Sequence, residues 1–415
     1  MPEVKVSVIM PVYNASKYLE ETLGYVLNQT LKEIELICVD DGSTDDSYAI
    51  LKQYEEQDNR MTVLQQQNQY AGVARNNGLT IAKGKYVIFW DSDDIFREDA
   101  LEKLYTKAEQ DQAEITVCAA NRYDETYDEI VLTNAYLIKD RLPEKIPFSC
   151  KEIGKYIFNF AGNVPWNKLY LKSFVDEHKL QFEARKQAND TYFVMMSLAY
   201  ANRIATVDET LINYRVRTGS SITDKTSGEP LCAMESYDVV LQELKKQNLF
   251  EGDLRISFIN KAMTGFMHVV TIQSTFEAYM KVYNYLQTEG IAYFEIDKLP
   301  EEEFFNTNIY NEFKLIMKIP AEEYLVYKLK GSTEEMKVKN SRIRALRERR
   351  EELKARREEL KAERAELKAE LSECKKTVRQ QKAMLDTKTL RFAWKVRSIA
   401  KCIVTLNGRI GRKQK

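Results

Sequence analysis

Along the first 110 positions, short runs of apolar and β-branched residues alternate with stretches whose apolar residues recur every three or four positions. The runs 5–10, 34–39, 61–65 and 85–90 are short and nearly continuous, the pattern of strands buried on both faces. Between the first two, a helix starts near Ser16 with Leu19, Leu23 and Val26 on one face. A second follows Ser43-Thr-Asp-Asp46, whose side chains suit a helix N-terminus, and carries Tyr48, Leu51 and Tyr54 at helical spacing. Further helices are expected over 71–82 and from about Glu98. Strands alternating with helices in this way predict an α/β fold, a Rossmann-like, mostly parallel sheet with helices on both faces.

After residue 113 the pattern is mixed, with strands expected at 115–119 and 203–207 and helices at 151–160 and 191–201. Residues 231–330 read mainly as an accessory helical region, for instance at 237–244 and 276–286, with an acidic interruption at Glu301-Glu-Glu303. From about Ser341 the composition shifts to Arg, Glu, Lys, Ala and Leu, and Leu346, Leu353, Leu360 and Leu367 fall every seven residues on one long charged helix. The companion seam positions are Ile343, Arg350, Arg357, Arg364, Leu371, Val378 and Leu385, charged in the middle. Two readings stay open for this helix: a coiled-coil homo-oligomer, or a single solvated spacer held by charge pairs. The expected divisions are 1–225, 226–335, 336–387 and 388–415.

Charge changes the picture at the C-terminus. The formal net charge is -1, so the chain as a whole has no pull toward nucleic acid. Residues 388–415 nevertheless contain Lys388, Arg391, Lys395, Arg397, Lys401, Arg409, Arg412, Lys413 and Lys415 and no acidic residue. Phe392, Val396, Ile399 and Ile403 recur there at steps of four and three, the stripe of a basic amphipathic tail lying on an anionic membrane surface. A partner-binding helix, and a disordered basic tail or nucleic-acid contact, are the competing readings. No apolar run approaches the roughly 20 residues needed to span a bilayer, and the N-terminus lacks the layout of an export signal. The six cysteines are scattered without a C-x-x-C pair, which suits a reducing cytoplasm and neither a zinc site nor a disulfide framework. The expected location is therefore cytoplasmic, peripheral to the inner face of the cell membrane.

In a parallel α/β sheet, ligands bind beyond the carboxyl ends of the strands. Here those ends are acidic: Asp40-Asp41-Gly42-Ser43 after the second strand and Asp91-Ser92-Asp93-Asp94 after the fourth. The first strand ends in Met10-Pro-Val-Tyr-Asn14, without the glycine-rich turn of a dinucleotide site. Asp91 and Asp93 at one strand end suit a hard cation, Mn²⁺ or Mg²⁺, shared with diphosphate oxygens. The two histidines, His178 and His268, stand in unrelated contexts and do not form a histidine-rich metal centre. Arg75, in Ala71-Gly-Val-Ala-Arg-Asn-Asn-Gly78, is placed to pair with a phosphate or an acidic neighbour.

Val8-Ile-Met-Pro-Val-Tyr-Asn14, Val39-Asp-Asp-Gly-Ser-Thr-Asp45, Gly72-x-x-Ala-Arg-Asn76 and Asp91-Ser-Asp-Asp94, in that order, resemble the family 2 glycosyltransferases of the GT-A fold, over roughly residues 4–220. The resemblance implies a nucleotide-sugar donor, a UDP-sugar, and transfer to an acceptor hydroxyl with inversion. It implies that Pro11, Val12, Tyr13, Asn14, Asp41, Arg75 and Ser92 bind the nucleotide, and that Asp91 and Asp93 hold the metal. In Gln187-Ala-Asn-Asp-Thr-Tyr-Phe193, Asp190 matches the catalytic base, and Asn189 stands where the family usually has glutamate. Val164-Pro-Trp-Asn-Lys-Leu-Tyr170 and Tyr214-Arg-Val-Arg-Thr-Gly-Ser220 resemble the capsule- and exopolysaccharide-type members, making Trp166 an acceptor-side candidate and Arg217 a phosphate-side one. The implied partner is a glycan acceptor on a lipid carrier. An inactive transferase-like scaffold and a nucleotidyltransferase are the alternatives.

Overall fold

The computed structural model describes residues 3–216, 229–383 and 388–410, with side chains outside 332–347, 350, 379–391 and 406–410. Residues Met1–Tyr324 form one compact unit and Leu325–Lys415 a second. The first unit runs β1 (Val6–Val12), α1 (Ser16–Leu27), β2 (Ile34–Asp40), α2 (Ser47–Gln57), β3 (Met61–Gln65), α3 (Tyr70–Ile81), β4 (Tyr86–Phe89), β5 (Ile95–Phe96), α4 (Ala100–Asp111), β6 (Ile115–Asp124) and β7 (Glu129–Val131). It continues through α5 (Cys150–Ile153), β8 (Lys168–Leu171), α6 (Lys172–Glu177), α7 (Thr191–Tyr200), β9 (Ile204–Val216), α8 (Cys232–Lys246), α9 (Gly252–Ile272), α10 (Phe276–Tyr285), α11 (Ile291–Tyr293) and α12 (Thr307–Ile316). Helix α13 (Ala321–Ala383) leads into the second unit, which also holds α14 (Lys388–Ile410).

Among the described residues one sheet has the strand order β3-β2-β1-β4-β8-β6-β9-β5, with β7 beside β6. Strands β3, β2, β1 and β4 are all parallel, as the alternating pattern predicts. Their apolar continuity has a direct cause, since all seven residues of β1 and all four of β4 are buried between helical layers. Register puts Val12 opposite Asp40 and Ile9 opposite Phe89, so the ends of β1, β2 and β4 open on one rim. From β8 onward the sheet is mixed, because β8 lies antiparallel to both β4 and β6.

Two expected elements differ in extent. Strand β9 runs thirteen residues, well past 207, and irregular pairing at Ala119 lets it follow β6 to Val216. The helix expected at 151–160 is one turn, α5, ended where Gly154 takes φ +57° beside Asp253. The helical region after 229 packs into the first unit. Phe158 N donates to Ser257 Oγ at 2.9 Å and Asn159 Nδ2 to the Ser257 carbonyl at 2.8 Å, fixing α9 under the 154–160 turn.

In the second unit, Leu353, Leu360 and Leu367 of α13 are exposed. Pairs such as Lys354 with Glu351 and Lys361 with Glu358 lie along its surface. Exposed pairs of this kind contribute little individually. No helix among the described residues is long and apolar enough to cross a membrane.

Close packing at the start of β4 yields a test. A Cβ on Gly84 would lie 2.5 Å from Ser7 N and 2.8 Å from the Tyr86 carbonyl, both backbone. Gly84→Ala is expected to lower stability by about 1–3 kcal/mol, read as a lower urea midpoint at unchanged slope.

Candidate active site

The rim begins where β1 and β2 end side by side. Asp41 N donates to the Val12 carbonyl at 2.8 Å, and the buried Asp41 carboxylate accepts from Gln66 Nε2 at 2.7 Å and Gln69 N at 2.8 Å. Pro11 and Val12 are buried in β1, while Tyr13 is half-exposed at its mouth. Asn14 takes φ 50°, a left-handed conformation that asparagine tolerates, and its Oδ1 accepts from Thr44 N at 2.8 Å. Ser16 N and Ser47 N donate to the two oxygens of Asp45, so this carboxylate ties the starts of α1 and α2 together.

The second part of the rim follows β4. Trp90 N donates to the Ile9 carbonyl at 3.1 Å, which brings the acidic run 91–94 beside the end of β1. Burial, with Asp91 adjacent, pushes the Asp93 carboxyl up to about 6. Burial and the same neighbours hold the Asp94 carboxyl well above the ordinary range. Asp94 Oδ1 accepts from Arg215 N at 2.9 Å, and its buried Oδ2 has no hydrogen-bond partner among the described residues. The Arg215 guanidinium donates to the Asp93 carbonyl at 2.7 Å and reaches Glu125 at 3.0 Å and Glu21 at 2.9 Å. Ser92 is buried between the two aspartates.

The third part comes from residues 183–190, about ninety positions later in the chain. Arg75, 6% exposed on α3, donates to Asp91 Oδ1 at 2.6 Å and to Asn189 Oδ1 at 3.0 Å. That approach needs a bare backbone at Gly72, where a Cβ would stand 2.2 Å from the Glu183 carbonyl. Ala188, at φ 53°, turns the chain so that Asn189 faces Arg75 and Asp190 begins α7. Ser236 Oγ donates to the Ala188 carbonyl at 2.8 Å and Cys232 Sγ to that of Gln187 at 3.1 Å, so α8 buttresses the turn. Burial pushes the Asp190 carboxyl up to about 6, against the opposing pull of Arg75. One guanidinium therefore draws the acidic end of β4 and the foot of α7 together.

Residues 7–178 match the profile of glycosyl transferase family 2. The chain is 32% identical over 263 residues to glycosyltransferase GlyG of Streptococcus pneumoniae, a match covering 61% of this chain and 85% of GlyG. The chain belongs to the family 2 glycosyltransferases. It is also 30% identical over 207 residues to a poly(ribitol-phosphate) beta-glucosyltransferase of Bacillus spizizenii, covering 49% of this chain and 31% of that protein. The solved structure of S. aureus TarS in complex with UDP-GlcNAc superposes with a TM-score of 0.56 at 22% identity, over 72% of this chain and 82% of that one, and shows the shared GT-A fold. As an enzyme of this family, the protein stands apart from the nucleotidyltransferase and scaffold readings.

In this transferase the expected site residues fall into two groups. Pro11, Val12, Tyr13, Asn14 and Asp41 gather at β1 and β2, and Arg75, Asp91, Asn189 and Asp190 converge around the Arg75 guanidinium, with Ser92 and Asp93 next in the same run. Trp166 is 3% exposed, stacked on Tyr214 at 5.4 Å and tilted against Tyr136 at 4.8 Å. Arg217 lies outside the described residues. Among the described residues, no three His, Cys, Asp or Glu side chains form a ready metal cage.

The motifs did not single out Asp94, Arg215 or Lys168 for the roles they take. Arg215 was legible in part, since it stands inside Tyr214-Arg-Val-Arg217, but only the length of β9 turns it toward Asp93. Lys168 is fully buried. Its Nζ donates to the Gly162 carbonyl at 2.8 Å, the Val164 carbonyl at 2.7 Å and Asn167 Oδ1 at 2.9 Å, and burial pushes it down to about 7. Asn163, between those carbonyls, donates to Thr191 Oγ1 at 3.3 Å, next to Asp190. Nothing in the sequence marks a buried lysine as different from a surface one. An open cleft of ≈ 430 Å³ beside the 183–190 turn is lined by Tyr70, Glu183, Ala184, Arg185, Lys186 and Glu229.

Arg75→Lys keeps the charge but loses the planar fork that spans Asp91 and Asn189. The variant is expected to fold normally while kcat/KM for sugar transfer falls about 10²-fold, the scale of a misplaced catalytic group. Transfer at the wild-type rate would show that the bridge does not organise the site.

Proposed function

We propose that this transferase moves a sugar from a UDP-sugar to an acceptor hydroxyl with inversion, building a cell-surface polysaccharide on a lipid-linked acceptor. The observation that carries this reading is the Arg75 bridge, which brings Asp190 to the same end of the sheet as Asp91 and Asp93. The TarS complex with UDP-GlcNAc supports the donor class, and the poly(ribitol-phosphate) relative supports a surface-polymer acceptor. Pro11, Val12, Tyr13, Asn14 and Asp41 line the uridine side in this reading, and Arg75 and Ser92 face the phosphates. The cleft at Tyr70 and Arg185 supplies the acceptor side.

The residues present fit a divalent cation, which family 2 enzymes of this fold generally use. Asp91 and Asp93 are hard oxygen donors, and their mutual repulsion in a buried setting is the cost that a cation offsets. Bound there, Mn²⁺ or Mg²⁺ supplies Lewis-acid stabilisation of the departing diphosphate. The acceptor oxygen forms its bond to the anomeric carbon as the bond from that carbon to the diphosphate breaks. The hydroxyl proton goes to the carboxylate of Asp190, general-base help worth about 10²–10⁴-fold. Attack from the side opposite the leaving group inverts the centre.

Two tests follow. A base must be ionised, and Asp190 is raised to about 6, so kcat is expected to climb with pH to a plateau with its midpoint near that value. The sign for stability is opposite. A carboxyl whose pKa is raised by folding destabilises the fold once ionised, so Asp190→Asn is expected to abolish transfer while leaving Tm at pH about 8 unchanged or higher. Retained turnover in that variant removes Asp190 from the role. Separately, UDP-sugar with Mn²⁺ at about 100 times its Kd should raise Tm by a few degrees. Asp93→Ala should lose the metal-dependent part of that rise, and a shift indifferent to EDTA in the wild type would overturn the metal assignment.

A further inference from the structure

Helix α14 is a surface without a described use. It carries six Lys or Arg residues and no Asp or Glu. Phe392 is 73% exposed, Val396 59%, and Ile399 and Ile403 51% each, in steps of four, three and four that put all four on one side of the helix. The more covered positions are Trp394, Ser398 and Cys402, a separate row four residues apart. Cys402 Sγ lies 3.3 Å from Cys374 Sγ of α13, so this covered row is the one turned toward α13. The apolar stripe points elsewhere, and Lys395 and Arg397 stand exposed on either side of it.

We propose that α14 docks this protein on an anionic lipid surface, lying in the plane of the interface with the Phe392, Val396, Ile399 and Ile403 stripe among the acyl chains. The occupant has to satisfy two demands at once. It must cover a continuous apolar row and must answer a net positive charge. A second copy of α14 covers the row but sets six cations against six. A polyphosphate backbone answers the charge but gives Phe392 and Ile399 nothing apolar to enter. A bilayer of anionic lipids meets both, with headgroup phosphates level with Lys395 and Arg397 and hydrocarbon below. The helix is too polar to cross the bilayer, which leaves the interfacial orientation.

The test uses the full-length protein and flotation with two kinds of vesicle, phosphatidylglycerol mixed with phosphatidylcholine, and phosphatidylcholine alone. Flotation is expected with the anionic vesicles and not the neutral ones. Phe392→Ser with Ile399→Ser, which keeps every charge, should cut the bound fraction about tenfold, and Lys395→Glu with Arg397→Glu should do the same. Both variants should retain the wild-type Tm shift with UDP-sugar, which separates this proposal from the donor reading. Anionic-vesicle binding that survives the apolar double variant would overturn the proposal. So would absence of flotation accompanied by a dimer that the same variant dissociates, an outcome that assigns the stripe to a second copy.

Discussion

The Arg75 guanidinium is the constraint on which the rest of the site depends. A charge that is 6% exposed is costly unless partners surround it, and its two partners come from segments sixteen and 114 positions away. Meeting that demand dictates local chemistry on every side. Gly72 lets α3 approach the 183 carbonyl, Ala188 accepts a left-handed turn, and α8 spends a hydroxyl and a thiol on holding that turn. Because residue 189 is a neutral amide, Asp91 is the anionic partner of the pair. That leaves Asp190, next in sequence, as the carboxylate at the foot of α7.

Around this cation the fold gathers carboxyl groups that burial disfavours as anions. Asp93, Asp94 and Asp190 are all raised, each by desolvation first and by neighbouring charge second where that neighbour is acidic. Arg215 limits the damage at one end, holding the Asp93 and Asp94 backbone and side chain while Glu21 and Glu125 occupy its remaining donors. A site arranged this way is less stable empty than an apolar substitute would be, which is the usual cost of prepared electrostatics.

Much of this was legible in the sequence, and the limits have physical reasons. Strands β1 to β4 announced themselves because a strand covered on both faces has to be apolar throughout, and the acidic residues just beyond them could not belong to that core. The apolar run that predicts β9 stops at 207 because Asp208, Glu209 and Asn213 interrupt it, although pairing with β6 carries the strand to Val216. The helix expected at 151–160 failed on Gly154, whose backbone conformation is set by its neighbours. Trp166 reads from its motif as an acceptor-side candidate, and its ring contacts with Tyr136 and Tyr214 are tertiary facts that the motif does not encode. Lys168 and the α8 contacts are tertiary facts, and no local pattern of residues encodes which carbonyl a buried ammonium will meet.

The buttress from α8 also bears on where this enzyme can be divided. The region recognisable as family 2 by its profile ends at residue 178, ahead of the 183–190 turn and far ahead of Ser236. Recognisable ancestry and mechanical completeness therefore stop at different places. A fragment trimmed to the recognisable part would lose the Asn189 partner of Arg75, and one trimmed at residue 225 would keep the turn without its support. In mechanical terms α8 is part of the site, because it presents the hydrogen-bond donors that hold the 187 and 188 carbonyls.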